Sequence, residues 1–301
     1  MKINKYPDGT SYVILDKYDI NYKEGWKVFK TNTYEDLHHL EQFVDVCNNE
    51  GFVPKIIIPN LLDAQADRRF HQNHSSGLKI VCRRLNSMKA EFKIFHPHNP
   101  EVVEASINNV KIIDNTKFIK KVLTQMSISL RYKKKGDSMS GGMEKKDLYD
   151  LYNRTILMSA DAGGFKPLIK LCDNLQWTGE TYSAAKYRKS SILDKSTDLV
   201  QQIGREDFKG KDILIVDDIS VYGGTFKGLS TLLKERNCGK LYLAVSHITV
   251  KDLGEDPVTN YFDKVFTTNS KFEKYTFKVN DPNHGIIPTT YQPKNLEIIK
   301  L

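Results

Sequence analysis

The segment ILIVDDISVYGGTF (213–226) sets two adjacent carboxylates a few residues ahead of a glycine pair and a hydroxyl. Ile213 to Val216 are apolar throughout and read as a strand buried on both faces, ending in Asp217 and Asp218. Neighbouring strand residues point to opposite sides, so one acid can face a ligand's hydroxyls while the other orients groups behind it. Gly223 and Gly224 let the backbone take strained dihedrals close to a ligand, and Thr225 suits the N-cap of a following helix. Amides at a helix start, aided by the dipole, form an anion site. Acids for sugar hydroxyls beside amides for a phosphate, at the carboxyl end of a parallel strand, suit a phosphorylated ribose, with Val221, Tyr222, Gly223, Gly224 and Thr225 as the cradle. The plainer alternative is a strand–turn–helix in which Asp217 and Asp218 only cap.

These groups need elements to hold them, and strand and helix patterns alternate along the chain. A helix over 34–49 puts Leu37, Leu40, Phe43 and Val44 on one face, before a buried strand at KIIIP (55–59). A helix over 76–87 turns Leu78, Val81, Cys82 and Leu85 inward, then FKIF (92–95) and VKIID (110–114) read as strands and 117–128 as a helix. A second series follows: TILMS (155–159), a helix over 166–175, YSAAK (182–186), DILIVDD (212–218), a helix over 225–236, KLYLAVSHI (240–248) and a final strand in NLEIIKL (295–301). The expected fold is α/β, with mainly parallel sheets flanked by helices in two domains, 1–115 and 116–301. RYKKKGDSMSGGMEKK (131–146) reads as a basic flexible insertion.

The 301 residues carry a net charge of +8, which suits polyphosphate ligands and equally nucleic acid; the basic residues are spread along the chain, and their one dense run, Arg131 to Lys135, reads as a solvated loop rather than a nucleic-acid contact. No apolar run approaches a membrane span, and MKINKYPDGT carries no signal-type segment, so cytoplasmic residence is expected, in a host's cytoplasm if the chain is phage-encoded. Four scattered cysteines without a CxxC pair read as reduced thiols rather than zinc ligands.

The 213–226 segment resembles the phosphoribosyl-diphosphate motif of type I phosphoribosyltransferases, and five further segments narrow the resemblance to ribose-phosphate diphosphokinases. YPDGT (6–10) is similar to the family's FSDGE segment, which reaches the adenine of ATP across a subunit interface. IPNLLDAQADRRF (58–70) resembles the stretch ending in ARQDRR, and HPHNPEVVEA (96–105) the segment with the family's catalytic-site histidine. SADAGGFK (159–166) is similar to SPDAGG, and AAKYRKSS (184–191) to the flexible catalytic loop with its Lys-x-Arg pair. The resemblance covers most of residues 6–270 and implies two phosphoribosyltransferase-like domains, ATP on the first and ribose phosphate on the second.

It further implies a Mg²⁺-dependent transfer of diphosphate from ATP to the C1 hydroxyl of a ribose 5-phosphate moiety, releasing AMP. Lys186, Arg188 and His98 are then catalytic, and Asp161 and His98 stand on the metal side. Tyr6, Asp8, Gln65, Asp67, Arg68 and Arg69 serve ATP, and a homo-oligomer completes the site. Plainer readings are a solvated strand end for Lys186 and Arg188, a loop position for His98 that His96 could take over, and a surface pair for Arg68 and Arg69. The chain departs from the family at its ligand contacts: Gln65-Ala66 replace Arg-Gln, Thr10 replaces an acid, and Val221-Tyr222 replace Asp-Thr. The last change removes a carboxylate and a hydroxyl and adds an aromatic surface, which slightly favours ADP-ribose over ribose 5-phosphate as acceptor. The resemblance permits this, since phage NAD-salvage systems contain such activity. A phosphoribosyltransferase that consumes the activated ribose and an inactive nucleotide-binding homologue are the alternatives.

Overall fold

The computed structural model describes residues 1–16, 25–69, 71–135, 145–190, 197–281, 285–288 and 292–301. The chain divides into two compact units, Met1–Asp114 and Asn115–Leu301.

The first unit opens with an antiparallel hairpin, β1 (Lys2–Lys5) and β2 (Ser11–Ile14). Its sheet is parallel in the order β3 (Trp26–Val28), β4 (Lys55–Ile58), β5 (Glu91–Phe95) and β6 (Val110–Ile113). The connecting helices are α1 (Tyr34–Asn49), α2 (Gly77–Ser87) and α3 (Pro100–Ser106). Thr33 starts α1 through a reciprocal capping box with Asp36. The apolar stripes bury Leu37, Leu40, Phe43 and Val44 of α1 and Leu78, Val81, Cys82 and Leu85 of α2 against Ile56, Ile58, Phe92 and Ile94 of the sheet. A two-pronged ion pair, Arg84 Nε and Nη2 donating to Glu41 at 2.7 and 2.6 Å, joins the two helices.

In the second unit, α4 (Thr116–Lys135) and α5 (Lys145–Arg154) precede β7 (Thr155–Ser159), α6 (Phe165–Leu175) and β8 (Thr181–Ser183). Next come the antiparallel pair β9 (Ala185–Ser190) and β10 (Thr197–Gln202), then β11 (Asp212–Ser220), α7 (Gly224–Glu235), β12 (Leu241–Ile248) and β13 (Lys264–Thr268). A hairpin, β14 (Lys278–Asp281) with β15 (Gly285–Pro288), leads to β16 (Leu296–Ile299). Six parallel strands form the sheet, in the order β16-β13-β12-β11-β7-β8. Its central strands are apolar at nearly every position because both faces are covered, and every residue of β7 and β12 is buried.

Four expectations change. The helix expected over 117–128 runs to Lys135, because no glycine or proline interrupts it before Gly136, and a further helix starts at Lys145. The expected insertion therefore keeps only 136–144, which lie outside the described residues. The strand expected over 182–186 is two strands in different sheets, divided at the fully buried Ala184, whose N–H donates to the Ser159 carbonyl at 3.2 Å. Gly223, not Thr225, is the N-cap of α7, which leaves Thr225 in the first turn. The hairpin β1–β2 and the elements β3, α3 and β13 have no counterpart in the sequence reading.

Candidate functional site

In the second unit β7 and β11 are neighbours, with Ser159 in register with Val216. That pairing brings Asp161, just past the end of β7, to the acid pair on β11. Asp217 is half-buried and accepts from the Asp218 amide at 2.8 Å. Burial, then the charge of Asp218 and a side-chain hydrogen bond with it, and finally the charge of Asp161 push the Asp217 carboxyl up to about 8, against the lowering effect of the Asp218 amide. The charges of Asp161 and Asp218 thus both act on Asp217. Asp161 is held from three sides: its carbonyl accepts from Ser159 Oγ at 2.9 Å and Ser183 Oγ at 3.2 Å, and its Oδ1 accepts from the Gly164 amide at 3.1 Å.

The turn after β11 needs its first glycine twice over. Gly223 has φ of 75°, and a Cβ there would stand 2.6 Å from the buried Val258. Gly224 faces open space, so a ligand can approach its backbone closely. No side chain caps α7, and any helix start leaves its first amides outside the intrahelical ladder. Val221 and Tyr222 stand at the turn with 41% and 60% of their surface exposed, whereas Phe226 is buried. Lys227, in the first turn of α7, pairs with Asp256 at 3.0 Å, and Asp256 also accepts from the Tyr261 hydroxyl at 2.8 Å. This clasp fixes the 256–261 segment that packs on Gly223.

Lys186 and Arg188 both lie on β9, their Cα partners being Gln201 and Leu199 on β10. Of the catalytic loop expected at 184–191, Ala185–Ser190 form this strand and residue 191 lies outside the described residues.

In the first unit Tyr6 and Asp8 form the tip of the β1–β2 hairpin. Tyr6 is 53% exposed and its ring lies 4.6 Å from that of Tyr12. Hydrogen bonds from the Thr10 hydroxyl and amide hold Asp8 below the usual carboxylate range and close the turn. The stretch with Asp67 and the loop with His98 meet directly: Asn99 Nδ2 donates to Asp67 Oδ2 at 3.2 Å, while Asn99 Oδ1 caps α3 by accepting from the Val102 amide. Gln65, Arg68, Arg69 and His98 are exposed, and His96 is half-buried with φ of 38°. A groove of about 510 Å³ runs past Arg69, Lys79, Arg83 and Ser106.

Each unit thus assembles its own part of the expected constellation. Ser159, Ser183, Val258 and the Lys227–Asp256–Tyr261 clasp were absent from the sequence reading. They act on the site only through tertiary contacts, and no local pattern marks them.

The phosphoribosyl transferase domain family matches residues 140–280. The ribose-phosphate pyrophosphokinase of Thermococcus kodakarensis is 23% identical over 273 residues, covering 90% of this chain and 85% of that protein. That of Thermoplasma volcanium is 24% identical over 276 residues, covering 90% and 84%. The chain is thus similar along most of its length to ribose-phosphate pyrophosphokinases, and its second unit carries the phosphoribosyl transferase domain match. In fold, it is similar to the crystal structure of phosphoribosylpyrophosphate synthetase from Mycobacterium smegmatis. That likeness has a TM-score of 0.65 and 16% identity, and covers 99% of this chain and 85% of that one. The resemblance and the α/β fold of parallel sheets flanked by helices expected from the motifs are thereby borne out. Among the described residues no helix is long and apolar enough to cross a membrane.

Proposed function

We propose that this chain, a diphosphotransferase by its family, moves the terminal diphosphate of ATP onto the C1 hydroxyl of a ribose 5-phosphate moiety. The acceptor oxygen bonds to the β-phosphorus, the bond from that phosphorus to the α,β-bridging oxygen breaks, and AMP leaves with that oxygen while the hydroxyl's proton is released. The observation that carries the reading is the meeting of Asp161, Asp217 and Asp218 beside an uncapped, glycine-opened helix start. Carboxylates can orient the ribose hydroxyls there while the amides of 222–225 take its 5′-phosphate.

Mg²⁺ fits this acid group, whose repulsion a cation relieves, with Asp161 the expected protein ligand. Among the described residues no group of three donors is placed to hold an ion unaided, which suits a metal that takes one or two carboxylates and completes its shell with waters and phosphate oxygens. When bound, Mg²⁺ supplies charge neutralisation on those oxygens. His98 is the metal-side candidate of the first unit, beside the Asp67 stretch. Tyr6, Asp8, Gln65, Asp67, Arg68 and Arg69 are the proposed ATP contacts, the cationic groove past Arg69 suiting a polyphosphate. Lys186 and Arg188, on one strand, would stabilise charge on the transferring group.

The acceptor is proposed to be ADP-ribose in preference to ribose 5-phosphate, giving ADP-ribose 1-diphosphate, a product suited to rebuilding NAD. Tyr222 supports it: an aromatic ring 60% exposed at the mouth of the cradle offers a surface for the second half of a larger ligand. The experiment is AMP release from ATP, followed by mass spectrometry, with each acceptor in turn. AMP formation with neither acceptor would return the chain to the phosphoribosyltransferase or nucleotide-binding alternatives. Formation with ribose 5-phosphate alone would sink the ADP-ribose preference.

A further inference from the structure

The antiparallel pair β9–β10 is a sheet of its own, apart from the six-stranded sheet. Its base is fixed at both ends. Ala184, just before β9, is buried and bonds to the Ser159 carbonyl; Ile203, just after β10, is buried, and its carbonyl accepts from Arg236 Nη1. Near the base, on β10, Gln201 leaves the hairpin for the helix that carries the phosphate cradle. Its Nε2 donates to the Thr225 carbonyl at 2.9 Å, in the first turn of α7. The amide lies over a gap in that helix: a Cβ at Gly228 would stand 2.6 Å from Gln201 Oε1. Gly228 has no positive φ and lies inside α7, where a glycine is less stabilising than an alanine would be. The gap it leaves is what admits the Gln201 amide. Gln201 is also the register partner of Lys186.

We propose that Gln201 is a positioning residue, seated in the Gly228 gap, that couples the setting of the Lys186 hairpin to the phosphate-binding turn of α7. This rests on the reading above, in which Lys186 acts on the transferring group and the 222–225 amides hold a phosphate. A hydrogen bond from β10 to the first turn of α7 makes the backbone opposite Lys186 follow the helix start. An acceptor phosphate that orders that helix start thereby orders the hairpin as well. The coupling belongs to transfer and not to ground-state binding, so its loss falls on kcat.

The test uses the complete chain and three variants: Gln201→Ala, Gly228→Ala and the two combined. Steady-state kinetics are joined to deuterium uptake in 185–190 and 197–202, with ribose 5-phosphate and with ADP-ribose in separate arms. Gln201→Ala is expected to lower kcat by about tenfold, with the KM values of ATP and acceptor within about twofold. Uptake in the hairpin should quicken, and the acceptor should no longer slow it although it still protects 221–225. Gly228→Ala should do the same by displacing the amide, and the combined variant should be no worse than either alone, since both break one contact. Wild-type uptake in Gln201→Ala, additive losses, or faster uptake with unchanged kcat would overturn the proposal. A fall in kcat that tracks a lower melting temperature would overturn it too, and Gln201→Glu, which keeps the size but sets a carboxylate against the Thr225 carbonyl, supplies a second variant for that comparison. Wild-type turnover in Lys186→Ala would instead sink the catalytic reading of the hairpin, while the uptake arm still reports the tether.

Discussion

Asp217 carries the sharpest consequence at the scale of single residues. Its carboxyl, at about 8, lies well above the ordinary 3.8, so the folded chain binds this proton more tightly than the unfolded chain does. Stability is therefore highest near the unfolded value and declines as pH rises through the folded one. Melts from about pH 5 to about pH 9 should show a falling midpoint, and Asp217→Asn should flatten the fall and raise the midpoint at the upper end by a few degrees. The same variant, and Asp161→Asn, should abolish AMP release while the fold survives; wild-type rates in either would remove the site assignment. Val221 and Tyr222 are tested together. If they set the acceptor, changing them to Asp and Thr should sharply lower turnover with ADP-ribose and favour ribose 5-phosphate. An unchanged preference, measured on both acceptors, would end that idea.

At the scale of elements, β9 presents Lys186 and Arg188 from a strand whose partner is tied to α7. A clamp on charge that develops only during transfer should act on rate, so Lys186→Ala is expected to lower kcat on the order of 100-fold while ATP affinity changes by less than about threefold. The reverse split would make Lys186 a ground-state binder. In the first unit, α1 and α2 are joined by Glu41 and Arg84, and the Arg84 hydrogen bond is the main cause that holds the Glu41 carboxyl below its ordinary value. A depressed acid stabilises the fold above its unfolded value, and that contribution is lost as pH falls through the folded one. Arg84→Met, which keeps the apolar stem, should destabilise the first unit by about 1 kcal/mol near neutrality, and by less in acid. Denaturant melts at the two pH values would check it; an equal loss at both would show that packing, not charge, joins the helices.

For the whole molecule the β1–β2 hairpin matters most. It ends in the exposed Tyr6, and Ile3 and Ile14 are 44% and 41% exposed on its strands. We propose that this tip contributes to a neighbouring subunit's ATP site, as the resemblance of YPDGT implies, and the active protein is then expected to be at least a dimer. Light scattering at assay concentration, alongside turnover, is the measurement; a clean monomer that forms product would contradict the expectation. Tyr6→Ala should raise the ATP KM by about tenfold with little effect on the acceptor KM.

Much of this was legible along the chain. The helical stripes of α1 and α2 and the mostly apolar runs of β7 and β12 depend on near neighbours, so their patterns survive in one dimension. The same holds for the acid pair and glycine turn of 217–224, whose residue types mark a strand–turn–helix before any contact is known. Tertiary structure decided the rest. Asp161 meets Asp217 because β7 pairs with β11, and Gly223 is required because Val258, 35 positions on, fills the space a Cβ would take. Ala184 divides one apparent strand because its amide reaches the end of β7, and Gln201 finds its acceptor on a helix that follows a different strand. Each of these depends on which strands lie side by side, a choice made by burial over the whole sheet and not by any local run of residues.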